Sequence, residues 1–282
     1  MLACRAMSFD RVSLVARRPV FGAAVLFSVA VLSGCGAVYP EIATPLRAAG
    51  TRTLDPPPPD DLLFIKFARA EIPSRTRDGR NWDSVGGSAP DPFAKLLIGD
   101  KEILVTPVQA NTLTPTWPDQ KLGNYHVPKG VPVRVELWDS NPINNHPICV
   151  ESINNIHGEA SMETNVDLRC DSGASIELTV QPAHAKFGIG LYYELRTAEI
   201  VVTRTVPDSP AARAGLKRGD QLIQIQGKSV KDLDQDSARS VINSNVTTGV
   251  NLTVKHADGS VSDVTLKDGP IYPSVQDDIA VD

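Results

Sequence analysis

The sequence of 282 residues lacks an apolar run long enough to cross a membrane as a helix. Its most apolar segment, Pro19–Leu32, has about 14 residues, whereas a hydrocarbon core roughly 30 Å thick needs about 20. Positive charge is not in excess either, because the formal net charge is -5, which argues against nucleic acid as a partner. Helical periodicity is scarce between residues 61 and 181, and no serine stands in a Gly-x-Ser-x-Gly nucleophile turn. These absences favour a strand-rich protein without visible hydrolase chemistry.

Cysteine is also sparse, and one of the four cysteines follows the apolar segment closely. Arginines at positions 11, 17 and 18 precede that segment, and the small pair Ser33–Gly34 and then Cys35 end it. A basic front, an apolar stretch and small residues are typical of a secretory signal. An ordinary signal peptide with an incidental cysteine is therefore one interpretation of the N-terminus.

The segment "LSGC" at 32–35 resembles the lipobox of bacterial lipoproteins. The resemblance implies that residues 1–34 are a signal peptide and that Cys35 is acylated after cleavage. Two or three acyl chains anchor a protein far more firmly than one. The residue after the cysteine is Gly36 and not aspartate, and in this respect the sequence resembles Gram-negative lipoproteins that are sorted to the outer membrane. We therefore expect a lipid anchor in the cell membrane, facing the periplasm from the outer membrane of a Gram-negative bacterium.

Residues 35–60 contain the run "DPPPPDD" and show neither helical nor strand periodicity. Proline runs have no donor N–H groups and prefer a stiff, extended polyproline conformation. We predict that this segment is a tether between the acylated cysteine and the folded part, with a disordered leader as the alternative.

Two patterns of folded structure follow the tether. The segments "VPVRVELWD" and "ASIELTVQ" alternate apolar and polar residues, which predicts an antiparallel β-sandwich over residues 61–181. From Lys186 the pattern changes to strands, a short helix at "SPAARAGL", a longer helix at "DQDSARSVINSN" and a hairpin at Asp258–Gly259. We predict a second domain over 184–270 and a C-terminal tail over 271–282.

Three pieces of the first domain resemble a C2 domain: "DPFAKLLIG" at 91–99, "NTLTPTWPD" at 111–119 and "VRVELWDSN" at 133–141. The resemblance implies a sandwich whose loops at one end converge carboxylates on calcium, a hard cation that takes six to eight oxygens. Carried over by position, the candidate metal ligands are Asp83, Asp91, Asp139 and Asn141. The last acid is missing near His146–Pro147, so we expect weakened calcium binding and no resident cofactor. Calcium-dependent membrane binding through these loops remains the alternative.

The second domain carries "FGIGLYYEL" at 187–195 and "IVVTRTVPDSPAARAGLKRGDQLIQIQGKSV" at 200–230. These segments resemble a PDZ domain of the bacterial protease-associated type, which implies a partly open β-barrel with two helices. The resemblance implies that the Gly-Φ-Gly-Φ turn directs backbone N–H groups at a peptide's terminal carboxylate, since glycine allows the close approach. The peptide would add as a strand beside the second helix. The implied peptide-binding residues are Lys186, Phe187, Gly188, Ile189, Gly190, Leu191, Tyr193, Asp234, Ala238 and Val241. A PDZ fold that binds no peptide is the alternative.

Cys4 lies in the predicted signal peptide, so Cys149 and Cys170 are the only cysteines expected in the mature chain besides Cys35, and they close a loop of 21 residues. An oxidising compartment favours a disulfide, worth about 3 kcal/mol in the chain-entropy model. Two buried thiols are the alternative, and His146 and His157 do not supply the spacing of a zinc site.

The sequence thus predicts a lipid-anchored, non-catalytic interaction module of the cell envelope and no enzyme. The expected partners are peptide or protein C-termini and the membrane through the acyl anchor, with a separate protease as a further candidate partner.

Overall fold

A computed structural model describes residues 39–82, 87–118, 123–161 and 165–276 of the chain. The predicted signal peptide and the candidate lipidation site Cys35 lie outside these residues, and so does the metal candidate Asp83. The described residues, all from Tyr39 onward, belong to one compact unit. Across the described ranges, no helix has both the length and the apolar character that a membrane span requires.

The described chain begins with two short strands, β1 (Glu41–Ala43) and β2 (Arg47–Ala48). Both lie in the segment predicted as a free tether, and both pair with strands of the second domain. The prediction of a spacer over 35–60 is therefore corrected for this part. The proline run does follow these strands, but Tyr272 Oη donates a 2.7 Å hydrogen bond to the carbonyl of Pro56 within it.

The first domain is a sandwich of two four-stranded antiparallel sheets, as the alternating sequence pattern predicted. The strands are β3 (Leu62–Glu71), β4 (Pro92–Ile98), β5 (Lys101–Val105), β6 (Gly123–His126), β7 (Val133–Asp139), β8 (His146–Ile153), β9 (Asn165–Arg169) and β10 (Ser175–Pro182). One sheet has the order β6-β3-β10-β9 and the other has the order β5-β4-β7-β8. A short helix, α1 (Ile156–Ser161), lies between β8 and β9 and was not predicted, because six residues are too few to show a helical period.

The core of the sandwich follows from the period of two. Val133, Val135 and Leu137 of β7 are fully buried, and they share one hydrophobic core with Leu178 of the opposite sheet. Trp117, from the turn that resembled a C2 motif, packs edge-on against Phe67 in that same core.

The second domain contains eight further strands and two α-helices among its described residues. They are β11 (Lys186–Gly188), β12 (Leu191–Arg196), β13 (Glu199–Thr205), α2 (Pro210–Arg213), β14 (Gln221–Ile225), β15 (Lys228–Ser229), α3 (Gln235–Asn245), β16 (Val250–Lys255), β17 (Val261–Leu266) and β18 (Gly269–Ile271). The larger sheet has the order β1-β12-β13-β14-β16-β17, with β15 on β14, and the smaller has the order β18-β11-β2.

The start of each helix is explained by its cap. Ser209 precedes α2 and accepts a hydrogen bond from the N–H of Ala212, with Pro210 at the first helical position. Asp234 precedes α3 and accepts a 2.7 Å hydrogen bond from the N–H of Ser237. The predicted hairpin at Asp258–Gly259 joins β16 to β17.

The end of the chain differs from the predicted tail, because Ile271 belongs to β18 and is buried. The following residues reach the first domain, where Ser274 forms a parallel bridge to Asn124 of β6. The side chain of Asn124 donates to the carbonyls of His184 and Pro273 at 2.9 and 2.8 Å, and it accepts from the N–H of His184 at 2.7 Å. One buried amide thus fastens the sandwich to the interdomain link and to the C-terminal segment.

Candidate functional site

The glycine loop Gly188–Leu191 joins β11 to β12 and is the centre of the predicted peptide site. Its backbone is held from the side of α2, since the carbonyl of Ile189 accepts from Ala211 N–H at 2.9 Å. The carbonyl of Gly190 likewise accepts from the N–H of Val206 at 2.9 Å. Gly190 has a φ of +66°, and a Cβ there would meet the side chain of Ser209. A glycine is required at this position both for its conformation and for the space.

The predicted site residues separate into buried and surface groups. Ile189, Leu191 and Tyr193 share one hydrophobic core with Ala238 of α3, and Val241 packs against that core from a partly exposed position. Apolar residues of β12 and α3 therefore meet in one core, and the predicted groove between these two elements stays a prediction. Asp234 lies at the exposed start of α3, where hydrogen bonds from Ser237 lower the pKa of its carboxyl. Its visible task is to cap the helix.

Lys186 and Phe187 belong to β11, which lies between β2 and β18. Lys186 pairs with both Ala48 and Ile271. The guanidinium of Arg52 lies 4.8 Å from the centroid of the Phe187 ring. No part of 47–52 was expected to lie against the second domain.

The edge of β12 that a ligand strand would use carries β1. The register pairs Ile42 with Tyr193 and Ala43 with Tyr192. The N–H of Thr44 donates to the carbonyl of Leu191 at 3.0 Å, and the N–H of Leu191 donates to Thr44 Oγ1 at 3.2 Å. Ile42 is only 8% exposed and joins the core of the second domain. Sequence reasoning missed these contacts because four residues before a proline carry too short a pattern to identify a strand.

Tyr193 is fully buried, and its hydroxyl has no hydrogen-bond partner among the described residues. Burial raises the pKa of Tyr193 to about 12. A buried hydroxyl without a hydrogen-bond partner lowers the stability of the fold by about 1–3 kcal/mol. The hydroxyl of Tyr193 is thus a hydrogen-bonding group that no described residue uses.

The calcium candidates of the first domain do come together, except Asp83, which lies outside the described residues. The carboxylate of Asp139 is fully buried and accepts from the N–H of Asp91 at 2.8 Å and from Asn141 Nδ2 at 3.0 Å. Asp91 Oδ1 accepts from the N–H of Asn111 at 2.7 Å. Within the described ranges, no group of three or more His, Cys, Asp or Glu side chains could hold a metal ion. Both carboxylate oxygens of Asp139 and Oδ1 of Asp91 thus accept hydrogen bonds from protein donors.

Cys149 of β8 and Cys170, which follows β9, form a disulfide with their Cα atoms 5.6 Å apart. The two cysteines belong to opposite sheets of the sandwich, so the bond ties the sheets together beside the core.

Family models match two separate stretches of the chain. A C2-domain model matches residues 74–164, and a PDZ-domain model matches residues 175–255. The chain thus carries a C2 domain followed by a PDZ domain, which confirms the predicted fold class. The second match begins inside β10, although the structure gives Ile176 and Leu178 of that strand to the sandwich core.

Curated relatives match the PDZ region alone. The chain is 35% identical over 83 residues to the carboxyl-terminal-processing peptidase 3, chloroplastic, of Arabidopsis thaliana, which is 29% of this chain and 16% of that protein. It is 35% identical over 80 residues to the carboxy-terminal processing protease CtpA of Bacillus subtilis, or 28% of this chain and 17% of the protease. The chain thus spans about a sixth of the length of these relatives.

Two of the solved structures to which the chain is similar are described as C2 domains. The pair of C2 domains of Extended-Synaptotagmin 2 aligns with a TM-score of 0.36 and 18% identity, covering 46% of this chain and 43% of that one. A structure described as that of a C2 domain aligns with a TM-score of 0.33 and 15% identity, covering 43% of this chain and 96% of its own.

Proposed function

We propose that this protein is a non-catalytic interaction module that binds an extended peptide along β12 of its PDZ domain. The observation that carries the proposal is the pairing of β1 with β12. This edge accepts a strand in antiparallel register and buries an aliphatic side chain of that strand. Addition of a strand to a sheet edge uses backbone hydrogen bonds for affinity and side-chain pockets for selectivity.

The proposed ligand is a protein C-terminus or an internal segment in the cell envelope, with an aliphatic residue that replaces Ile42. The proposed location is the outer membrane, through acylated Cys35. Since β1 begins six positions after Cys35, the PDZ domain would lie near the membrane surface without a long spacer. The relatives named as processing proteases match only the PDZ region, which supports a role in binding, and accessory regulation of such a protease is an alternative.

Peptide binding is tested by fluorescence polarisation with labelled peptides that carry an aliphatic residue at the position of Ile42 and end in a free carboxylate. Amidation of the terminus removes charge-assisted hydrogen bonds, and we expect about tenfold weaker binding. Val241→Asp places a charge on the α3 side of the groove and should abolish binding. Ser240→Asp, on the exposed neighbouring position of the same helix, is the matched control and should bind normally. Equal binding to both variants would contradict the proposed site.

A second candidate function is membrane contact through the loops of the C2 domain. One observation favours it: Ile143, in the loop that follows Asp139, is 91% exposed. An aliphatic side chain at a loop tip suits insertion into an acyl boundary. Sedimentation of the unacylated protein with vesicles, with and without calcium, tests it, and Ile143→Ser should abolish any binding. Binding that depends on calcium would also require ligands beyond the hydrogen-bonded Asp139.

A further inference from the structure

We propose that residues 39–44, here called the flap, act in cis as the resident occupant of the peptide groove and must leave before an external peptide binds. This inference rests on the proposed function, because it concerns regulation of the same site. The backbone groups of Leu191 that a ligand strand would need are both engaged by Thr44, at 3.0 and 3.2 Å. Leu191 is the last residue of the glycine loop, and its N–H donates to the hydroxyl of Thr44. The predicted site would receive the terminal carboxylate of a peptide at this same N–H.

The flap differs from the chain that follows in how it is held. Its outer end is fixed by Glu41, whose carboxylate accepts from Thr203 Oγ1 at 2.6 Å and lies 3.4 Å from the guanidinium of Arg204. These groups are at the surface, where ion pairs contribute little to stability. Ile42 supplies the single buried apolar contact of β1.

Beyond Pro45 the chain is fastened to the domain by independent contacts. Leu46 packs against the buried side chains of Tyr192 and Ile271. Arg47 donates to the carbonyl of Asn243 at 3.0 Å and lies 3.6 Å from the carboxylate of Asp268. Displacement can therefore end at Pro45 and leave β2 in place. The flap is the part of the N-terminal segment that can peel away without unfolding the domain.

Two features of the closed arrangement are unfavourable and would ease displacement. Glu41 stands directly opposite Glu194 in the register, and like charges at facing positions destabilise a strand pair. Arg204 and Arg196 lie 3.4 and 2.9 Å from the two carboxylates and offset part of this repulsion. Tyr193 pairs with Ile42 in the register, and its hydroxyl has no hydrogen-bond partner among the described residues. An external peptide with a neutral residue at the position of Glu41 would avoid the repulsion. One with a polar group near Tyr193 would satisfy the hydroxyl.

The flap also indicates the chemistry of the external ligand. Ile42 and Thr44 are two residues apart, so their side chains lie on the same face of the strand. The ligand is thus an extended peptide with an aliphatic residue two positions before its last residue and a free carboxylate replacing the Thr44 hydroxyl. If the flap is displaced in about 1–10% of molecules, the apparent dissociation constant of an external peptide is about 10- to 100-fold higher than that of the open groove.

The test uses the full chain and a fluorescent peptide with the sequence of residues 39–44, YPEIAT, ending in a free carboxylate. Ile42→Asp disfavours the closed flap and should bind this probe about 10- to 100-fold more tightly than the wild type does. Val261→Asp, an aliphatic-to-acid change at a 57% exposed strand position of the same domain, is the matched control and should bind like the wild type.

A second variant tests the opposite state, in case Ile42→Asp fails to fold. Because Thr44 bonds to Leu191, the alternation places Glu41 and Glu194 at a non-hydrogen-bonded pair, with Cα atoms about 4.5 Å apart. Glu41→Cys combined with Glu194→Cys can therefore form a disulfide that locks the flap. We expect no probe binding when this variant is oxidised and recovery on reduction. The wild type in the same reductant controls for Cys149–Cys170.

The outcomes separate the inference from the function on which it rests. Equal probe affinity in the wild type, Ile42→Asp and the oxidised locked variant, with binding lost in Val241→Asp, would overturn the cis occupant and keep the peptide site. If folded Ile42→Asp binds no probe, then both the inference and the proposed function fail. If only the locked variant can be studied, equal affinity before and after reduction overturns the inference.

Discussion

Replacement of Gly190 by alanine measures how much stability the PDZ domain loses when a Cβ is placed in the glycine loop, where Gly190 packs closely against Ser209 and Val206. A Cβ at this position would lie 2.6 Å from Ser209 Oγ and 3.1 Å from Val206 Cβ. The positive φ alone costs an alanine about 1–2 kcal/mol, and crowding against packed neighbours adds about 1–3 kcal/mol. Ser209 cannot retreat, because it is fully buried and caps α2 through Ala212. We expect the PDZ domain to lose about 2–5 kcal/mol of its free energy of unfolding.

The matched control is Gly259→Ala, because Gly259 has a φ of +88° but no atom within 4 Å of the place that a Cβ would take. It should lose only the conformational part, about 1–2 kcal/mol. Urea unfolding is followed by circular dichroism and by tryptophan fluorescence. The three tryptophans, Trp82, Trp117 and Trp138, all lie in the C2 domain, so fluorescence checks that this domain is unchanged. Equal losses in the two variants would refute the argument from crowding.

Four further predictions test other parts of the structure. Asn124→Leu removes the three hydrogen bonds that join the sandwich to the interdomain link and the C-terminal segment. Calorimetry should show that the free energy of unfolding falls by about 3 kcal/mol and that the two domains unfold in separate transitions. An unchanged single transition would contradict this role of Asn124. Tyr193→Phe should preserve or raise stability because its hydroxyl is unpaired, while Tyr272→Phe should cost about 1 kcal/mol. Burial raises the pKa of Tyr193 from 10.0 to about 12, so the folded state favours the neutral hydroxyl. The contribution of this group to the free energy of unfolding is therefore fully present below pH 10.0 and is lost as the pH rises toward about 12. Tyr193→Phe should lack this decline. Cys149→Ser with Cys170→Ser should lose about 3 kcal/mol, and neither cysteine should react in unfolded, unreduced wild type.

Much of the fold was predictable because its signals are local. The alternation in "VPVRVELWD" places Val133, Val135 and Leu137 on one face, and all three are buried in the sandwich. Ser209 and Asp234 cap helices because their side chains bond to N–H groups only three residues away. Such patterns need no knowledge of the rest of the chain.

The candidate site was predictable only in part. The glycine loop has a recognisable sequence, and the structure explains Gly190 through its φ and its neighbour Ser209. The hydrogen bonds that Asp139 accepts from Asp91 and Asn141 were not visible in the sequence. They depend on which donors surround the carboxylate, and Asp91 is 48 residues away along the chain.

The sequence by itself determined the order of the two domains, their strand periodicity, their helix caps and the glycine loop, because each depends on neighbouring residues. Only the tertiary structure decided what lies on the edge of β12. The backbone hydrogen bonds of a strand pair are nearly independent of residue type, so "EIAT" carries no mark of its partner about 150 residues away. Its place on this edge accompanies the hydrogen bond from Arg47 to the carbonyl of Asn243 and the burial of Ile42 in the core that contains Leu191 and Tyr193.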